Sequence, residues 1–189
     1  MKPRKLLNAE HRRVALGFTI IELLVAMVVA GILAAIGIPA FSSFVQNDRD
    51  TGQINSLAMS LNLARSEAVK RNTSAGVTVC PSSNGACNSP AGGWAAGWLV
   101  LDLDPNNTLA PVLQQVPALA GTNVLTATGG GANGVTFRSN GSVVASMKVK
   151  VCDSRGSAYA RDIEVTPVGT VTASQNPGHD AAGASLTCP

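Results

Sequence analysis

Aromatic residues make up only 4% of this 189-residue chain, and charged residues only 13%. There are two histidines, His11 and His179, and no Cys-x-x-Cys pair, so the usual ligand spacing of a zinc site is missing. Residues 162–189 contain no Lys or Arg, which leaves that stretch nothing with which to hold phosphates. No Ala-x-Ala occurs between Phe18 and Val45, although that stretch is strongly apolar. An ordinary secretory signal would be shorter and would end on such a site.

What charge there is has an uneven distribution. The formal net charge is +3, but Lys2, Arg4, Lys5, Arg12 and Arg13 all precede Gly17, with Glu10 as the only acid there. Beyond Gly17 the chain keeps 9 of its 14 basic and 10 of its 11 acidic residues, and is near neutral. The basic balance therefore belongs to a leader rather than to a nucleic-acid surface.

The leader is followed by an apolar run, Phe18 to Phe41, whose 24 residues include one charge, Glu22. At about 1.5 Å per residue such a helix crosses a hydrocarbon core of about 30 Å. Basic residues precede the run, and the first charges after it are Asp48, Arg49 and Asp50. The positive-inside rule then places the N-terminus in the cytoplasm and the rest outside. A plain membrane anchor fits the length but leaves Glu22 unexplained, because a carboxylate in hydrocarbon costs a few kcal/mol without a partner. Cleavage between Gly17 and Phe18 supplies one: the new ammonium of Phe18 lies four residues from Glu22 and pairs with it, within one chain or between neighbours in a filament.

The junction Gly17-Phe18-Thr19-Ile20-Ile21-Glu22-Leu23-Leu24-Val25 resembles the class III leader of type IV pilins and type II secretion pseudopilins. The resemblance implies a cut after Gly17 by a membrane-embedded prepilin peptidase, N-methylation of Phe18, and an assembly role for Glu22. It also implies a helix that bends or locally melts near Gly31, Gly37 and Pro39, since proline removes a helix hydrogen bond.

Ile54, Leu57, Leu61, Ala64 and Ala68 step by three and four, which continues the helix as one apolar stripe to about Asn72. From there the texture turns to short β-rich stretches. Ala75–Cys80 and Trp98–Leu103 read as strands. Val135 and Phe137, then Met147, Val149 and Val151, then Ile163 and Val165 alternate with polar residues, and Val168–Ala173 adds another candidate. Asn140-Gly141 between two such runs is a hairpin signal. Gly129-Gly130-Gly131 is a loop without the strand–helix context of a phosphate cradle. The expected fold class is α+β, a type IV pilin-like fold with a long N-terminal helix packed on an antiparallel β-sandwich-like head. The expected segments are a leader over 1–17, a helix over 18–72 with its membrane or filament-core part at 18–41, and a head over 73–189.

The head narrows the resemblance. Ala64-Arg65-Ser66-Glu67-Ala68-Val69-Lys70-Arg71, Val77-Thr78-Val79-Cys80 with Gly93-Trp94 and Gly97-Trp98-Leu99-Val100, and Val151-Cys152-Asp153 with Arg161-Asp162-Ile163 are similar to the GspH/FimT group of minor pilins and pseudopilins. Within that group the head is most like the FimU/FimT type. The implied function is that of a minor pilin in the tip or initiation complex of a type IV pilus, supporting assembly, twitching motility or adhesion, with a type II secretion pseudopilin as the alternative and a DNA receptor on a competence pilus as a less favoured one. The implied partners are prepilin peptidase, the major pilin and other minor pilins. The implied location is the inner membrane with a periplasmic head, then the filament. No cofactor or small-molecule substrate is implied.

All four cysteines lie beyond the apolar run, and an even number in an exported head indicates disulfides. Three pairings are open. Cys80–Cys87, closing a short Gly/Asn/Ser loop, with Cys152–Cys188, tying the tail to a strand, is the favoured one.

Other chemistries find little support. His11 leaves with the leader, and His179 has no nucleophile motif around it. Asp102 and Asp104 read as a turn rather than a catalytic pair or a calcium loop, and Trp94 and Trp98 read as packing rather than as a stacking platform. Some FimT-type minor pilins take up DNA through a Gly-Arg-x-Arg motif. The matching stretch here, Gly169-Thr170-Val171-Thr172, lacks both arginines. Arg138, Lys148, Lys150, Arg155 and Arg161 remain as a possible small basic patch, with ordinary strand solvation as the competing reading. DNA is not an expected partner.

Overall fold

The structure, a computed structural model, describes residues 17–72, 74–88, 93–104 and 111–188. It divides into two compact units, residues 1–43 and 44–189. The expected leader over 1–17 therefore lies, apart from Gly17, outside the described residues.

A single helix, α1, spans Ile20–Arg71. Thr19 starts it: its hydroxyl accepts the Glu22 backbone N–H at 3.3 Å, satisfying one of the orphan donors of the first turn. Asn72 ends it in the left-handed region (φ 52°), a conformation that asparagine tolerates better than most residues. Gly31, Gly37 and Pro39 are all contained within α1. In the first unit, residues 17–42 are exposed throughout.

In the second unit α1 presents Ile54, Leu57, Leu61, Ala64 and Ala68 to the core, each at most 3% exposed. Among the described residues the stripe is followed by eight strands: β1 (Val77–Pro81), β2 (Trp98–Asp102), β3 (Val112–Val116), β4 (Val124–Thr128), β5 (Val135–Phe137), β6 (Met147–Cys152), β7 (Arg161–Val165) and β8 (Val171–Ala173). They form two four-stranded antiparallel sheets, in orders β3-β2-β1-β5 and β4-β6-β7-β8. One core joins the helix stripe to Val77, Val79 and Trp98 of the first sheet and to Met147, Val149, Val151 and Ile163 of the second. This is the expected α+β arrangement of a long helix with a two-sheet head.

Both tryptophans belong to this core. Trp98 is fully buried and its indole N–H donates to the Ser60 hydroxyl at 2.9 Å; Trp94 donates to the Ala132 carbonyl at 2.9 Å. Each buried N–H thus keeps a partner, as burial requires.

Two sequence expectations about strands are corrected. The Asn140-Gly141 turn forms, with Gly141 at φ 78°, but it returns the chain only as far as a single bridge between Phe137 and Val143. The following strand, β6, belongs to the other sheet, between β4 and β7, so the two alternating runs are not a hairpin. In addition, β3 and β4 form where no strand was expected.

Candidate functional site

The residues of the proposed leader junction begin the described chain. Phe18 is 84% exposed, and Glu22 occupies the first turn of α1. A carboxylate there faces the positive end of the helix dipole, and Thr19-x-x-Glu22 has the spacing of a capping box. Beyond it, Ile32, Ile36, Ile38 and Phe41 expose 58–69% of their surface. This segment is the one helical stretch of the described residues long and apolar enough to cross a membrane. A Cβ added at Gly31 or Gly37 would meet nothing within 4 Å.

The cysteines are joined Cys80–Cys87 and Cys152–Cys188. The first disulfide closes the loop after β1; the second fastens the C-terminal segment to the end of β6.

The chemistry-bearing side chains of the head are engaged with one another. Asp102, the last residue of β2, accepts Arg71 Nη1 at 2.8 Å and the Asp104 backbone N–H at 3.0 Å, which braces the end of the strand against the helix end. The remainder of the Asp-x-Asp-Pro-Asn-Asn segment lies outside the described residues. His179 is exposed, and its Nδ1 lies 3.1 Å from the Pro177 carbonyl. Among the described residues no group of three potential metal ligands occurs. Arg138 donates to the Val143 carbonyl at 3.0 Å, Lys148 bridges Glu164 (3.2 Å) and Asp180 (3.4 Å), and Lys150 donates to the Thr187 carbonyl. Three members of the candidate basic patch thus have partners within the head, although Arg138 is exposed and Lys148 is only half-buried.

Arg155 is the clearest case. Its guanidinium reaches Asp153 Oδ2 (2.6 Å from Nε), Asn47 Oδ1 (2.8 Å) and Asp50 Oδ2 (3.0 Å), and it sits 4.1 Å over the Tyr159 ring. Asn123 bonds Asp50 at 2.6 Å and Gln53 at 2.8 Å, and Gln53 donates to the Ala120 carbonyl at 3.1 Å. Burial, with the Asp153 charge beside it, pushes the Asp50 carboxyl above its usual range. Burial also acts on Asp153, but the hydrogen bonds and charge of Arg155 outweigh it and hold that carboxyl below its usual range. The network fixes α1 to the loop after β6. Sequence reading missed it, although Asn47, Asp50 and Gln53 recur every three residues beside the apolar stripe and gave a local signal.

Comparison with known proteins bears on these features directly. Residues 53–169 match the family model of the type II transport protein GspH, and residues 12–38 match the prokaryotic N-terminal methylation motif. Two crystal forms of the type IV minor pilin FimU of Pseudomonas aeruginosa PAO1 share the fold, each with a TM-score of 0.52. They are 19% and 20% identical, covering 70% and 74% of this chain and 98% and 99% of theirs. No curated protein matches the sequence. With residues 53–169 in one family model and residues 12–38 in the other, the chain belongs to the GspH family and carries an N-terminal methylation motif.

Proposed function

We propose that this protein is a minor pilin of a type IV pilus, a structural subunit of the tip or initiation complex that supports filament assembly. The observation that carries the reading is the continuous exposure of residues 17–42 in a chain whose head already has a closed core. That much apolar surface needs lipid or the helices of other subunits to cover it.

In this reading the chain first spans the inner membrane with its head in the periplasm. Prepilin peptidase cuts between Gly17 and Phe18, and the amine of Phe18 is methylated. The protein then leaves the bilayer for the filament core, where the Phe18 ammonium of this or a neighbouring subunit neutralises Glu22. The major pilin and other minor pilins are the partners, and Gly31, Gly37 and Pro39 let the helix bend or locally melt on assembly. The match to the type II transport protein GspH favours a second reading, a pseudopilin of a secretion filament.

The test is intact-mass analysis of membrane-extracted protein together with immunoblotting of sheared surface filaments. The expected result is loss of residues 1–17 with one added methyl group, and recovery of the product with type IV pili. A stable product that retains residues 1–17 in cells with active prepilin peptidase would contradict the proposal. Recovery only with secretion components would favour the pseudopilin.

A further inference from the structure

The outward face of the second sheet carries two polar rows. Thr126, Lys150 and Asp162 lie opposite one another on β4, β6 and β7, and Thr128, Lys148 and Glu164 do the same. Residues 175–187 lie against this face and are pinned at both ends. At one end the Ser174 N–H donates to the Asp162 carbonyl at 2.9 Å, and the Ser174 hydroxyl accepts the Asp162 N–H at 3.0 Å. At the other, Cys188 is bonded to Cys152, and its N–H donates to the Ser157 hydroxyl at 2.8 Å. Between the ends the segment is held by Lys148 on Asp180, by Lys150 on the Thr187 carbonyl, and by the Gly178 N–H on the Ala160 carbonyl at 2.7 Å. Beneath it lies a cavity of about 140 Å³, lined by Thr126, Lys150, Asp162, Asp180 and Leu186 among others.

Asp162 does not fit a fixed structure of this kind. It is 2% exposed, and neither of its carboxylate oxygens accepts a hydrogen bond among the described residues. An unsatisfied buried charge is costly. Yet a cation stands directly across the ladder. Because the backbone groups of Asp162 are spent on Ser174, its pairing with Lys150 is of the non-hydrogen-bonded kind, which brings opposed side chains closest. Lys150 is nonetheless turned to a neutral carbonyl on the covering segment. The other charges facing Asp162 are Lys148, already shared by two carboxylates, and the acids Glu164 and Asp180.

We propose that residues 175–187 form a cover hinged at its two pinned ends, and that Lys150 is its two-position latch, closed on the Thr187 carbonyl and open on Asp162. In the closed position the latch holds the cover down while Asp162 stays unpaired. When the cover lifts, the Lys148–Asp180 pair and the Gly178–Ala160 hydrogen bond are given up to solvent, Lys148 keeps Glu164, and Lys150 exchanges one hydrogen bond for an ion pair with Asp162. The row Thr126–Lys150–Asp162 then becomes accessible while the disulfide stays intact.

Amide hydrogen exchange on the detergent-solubilised full chain tests this. Gly178, whose N–H is bonded out of the cover to the Ala160 carbonyl, reports opening, and Val149 and Ile163, paired between β6 and β7, report the sheet. Asp162→Asn removes the open-state partner, so exchange at Gly178 should slow by about fivefold relative to the sheet amides, the scale of one partly exposed ion pair. Lys150→Met removes the latch from both positions, so adding Asp162→Asn to Lys150→Met should change nothing further. The proposal is overturned if Asp162→Asn leaves the cover-to-sheet ratio unchanged or raises it. Slowing that persists in the Lys150→Met background overturns it equally, because the effect would then not pass through the latch.

Discussion

Residues 20–42 and 44–71 of α1 share one run of helical hydrogen bonds but differ in what they bury. The later part has a stripe, Ile54, Leu57, Leu61, Ala64 and Ala68, and that stripe is sealed by the head's own sheets. The earlier part is an almost unbroken apolar run, and residues 20–42 are exposed throughout. A one-sided stripe matches a partner on one side, whereas an all-round apolar helix needs an apolar medium or several neighbours. The comparison therefore separates the residues that fold the head from those that place the subunit in a larger body.

The largest expected effect sharpens that difference. Leu61→Ala should destabilise the head by about 2–5 kcal/mol, the usual cost of truncating a fully buried leucine. Ile36→Ala, at a side chain 69% exposed, should leave the head's unfolding midpoint where it was. Chemical denaturation of the detergent-solubilised protein, followed by tryptophan fluorescence from Trp94 and Trp98, measures both. A head destabilised equally by the two substitutions would erase the distinction.

The two disulfides come next. Each is expected to contribute about 2–4 kcal/mol, mainly by restricting the unfolded chain. Cys152 and Cys188 are 36 residues apart and Cys80 and Cys87 only 7, so losing the longer link should cost more. Paired serine substitutions with denaturant midpoints give the order, and non-reducing peptide mapping checks the pairing. Recovery of Cys80 linked to Cys188 would overturn it.

A smaller effect concerns pH. Burial, reinforced by the Asp180 charge, raises the Asp162 carboxyl above its usual range, against the opposing charge of Lys148. The folded state thus holds this proton more tightly than the unfolded chain. The resulting penalty sets in as pH rises past the unfolded value of about 4 and is complete above the folded value. Asp162→Asn should therefore stabilise the head by about 1 kcal/mol at pH 7, with the gain shrinking to nothing below pH ~4. Denaturation midpoints across that range test it; a gain that persists at pH 3 would contradict the assignment.

How far the sequence speaks follows the same division. The apolar run, the stripe and the alternation of β6 are local patterns, and each forms where its period places it. What was not legible depends on partners remote in sequence. β3 (Val-Leu-Gln-Gln-Val) is an edge strand with Val112 exposed, and β4 (Val-Leu-Thr-Ala-Thr) buries only Leu125, so neither shows a clean period of two. Asn140-Gly141 makes its turn, but which sheet the next strand joins is decided by β4 and β7. Arg155 reads as an ordinary surface cation until the fold brings Asn47 and Asp50 to it across more than 100 residues.

The account turns on what covers residues 20–42, and Glu22 is the place to ask. It is the single charge in the apolar run, and in hydrocarbon it is a liability until a counter-charge arrives. Glu22→Ala should therefore leave export, leader cleavage and head folding intact while incorporation into filaments falls sharply. Cleavage by intact mass and incorporation by immunoblot of sheared filaments are scored in the same cells. The predicted result is a normally cleaved protein that accumulates in the membrane and is scarce in filaments. A normally cleaved protein present in filaments at the wild-type level would contradict the buried-pair account.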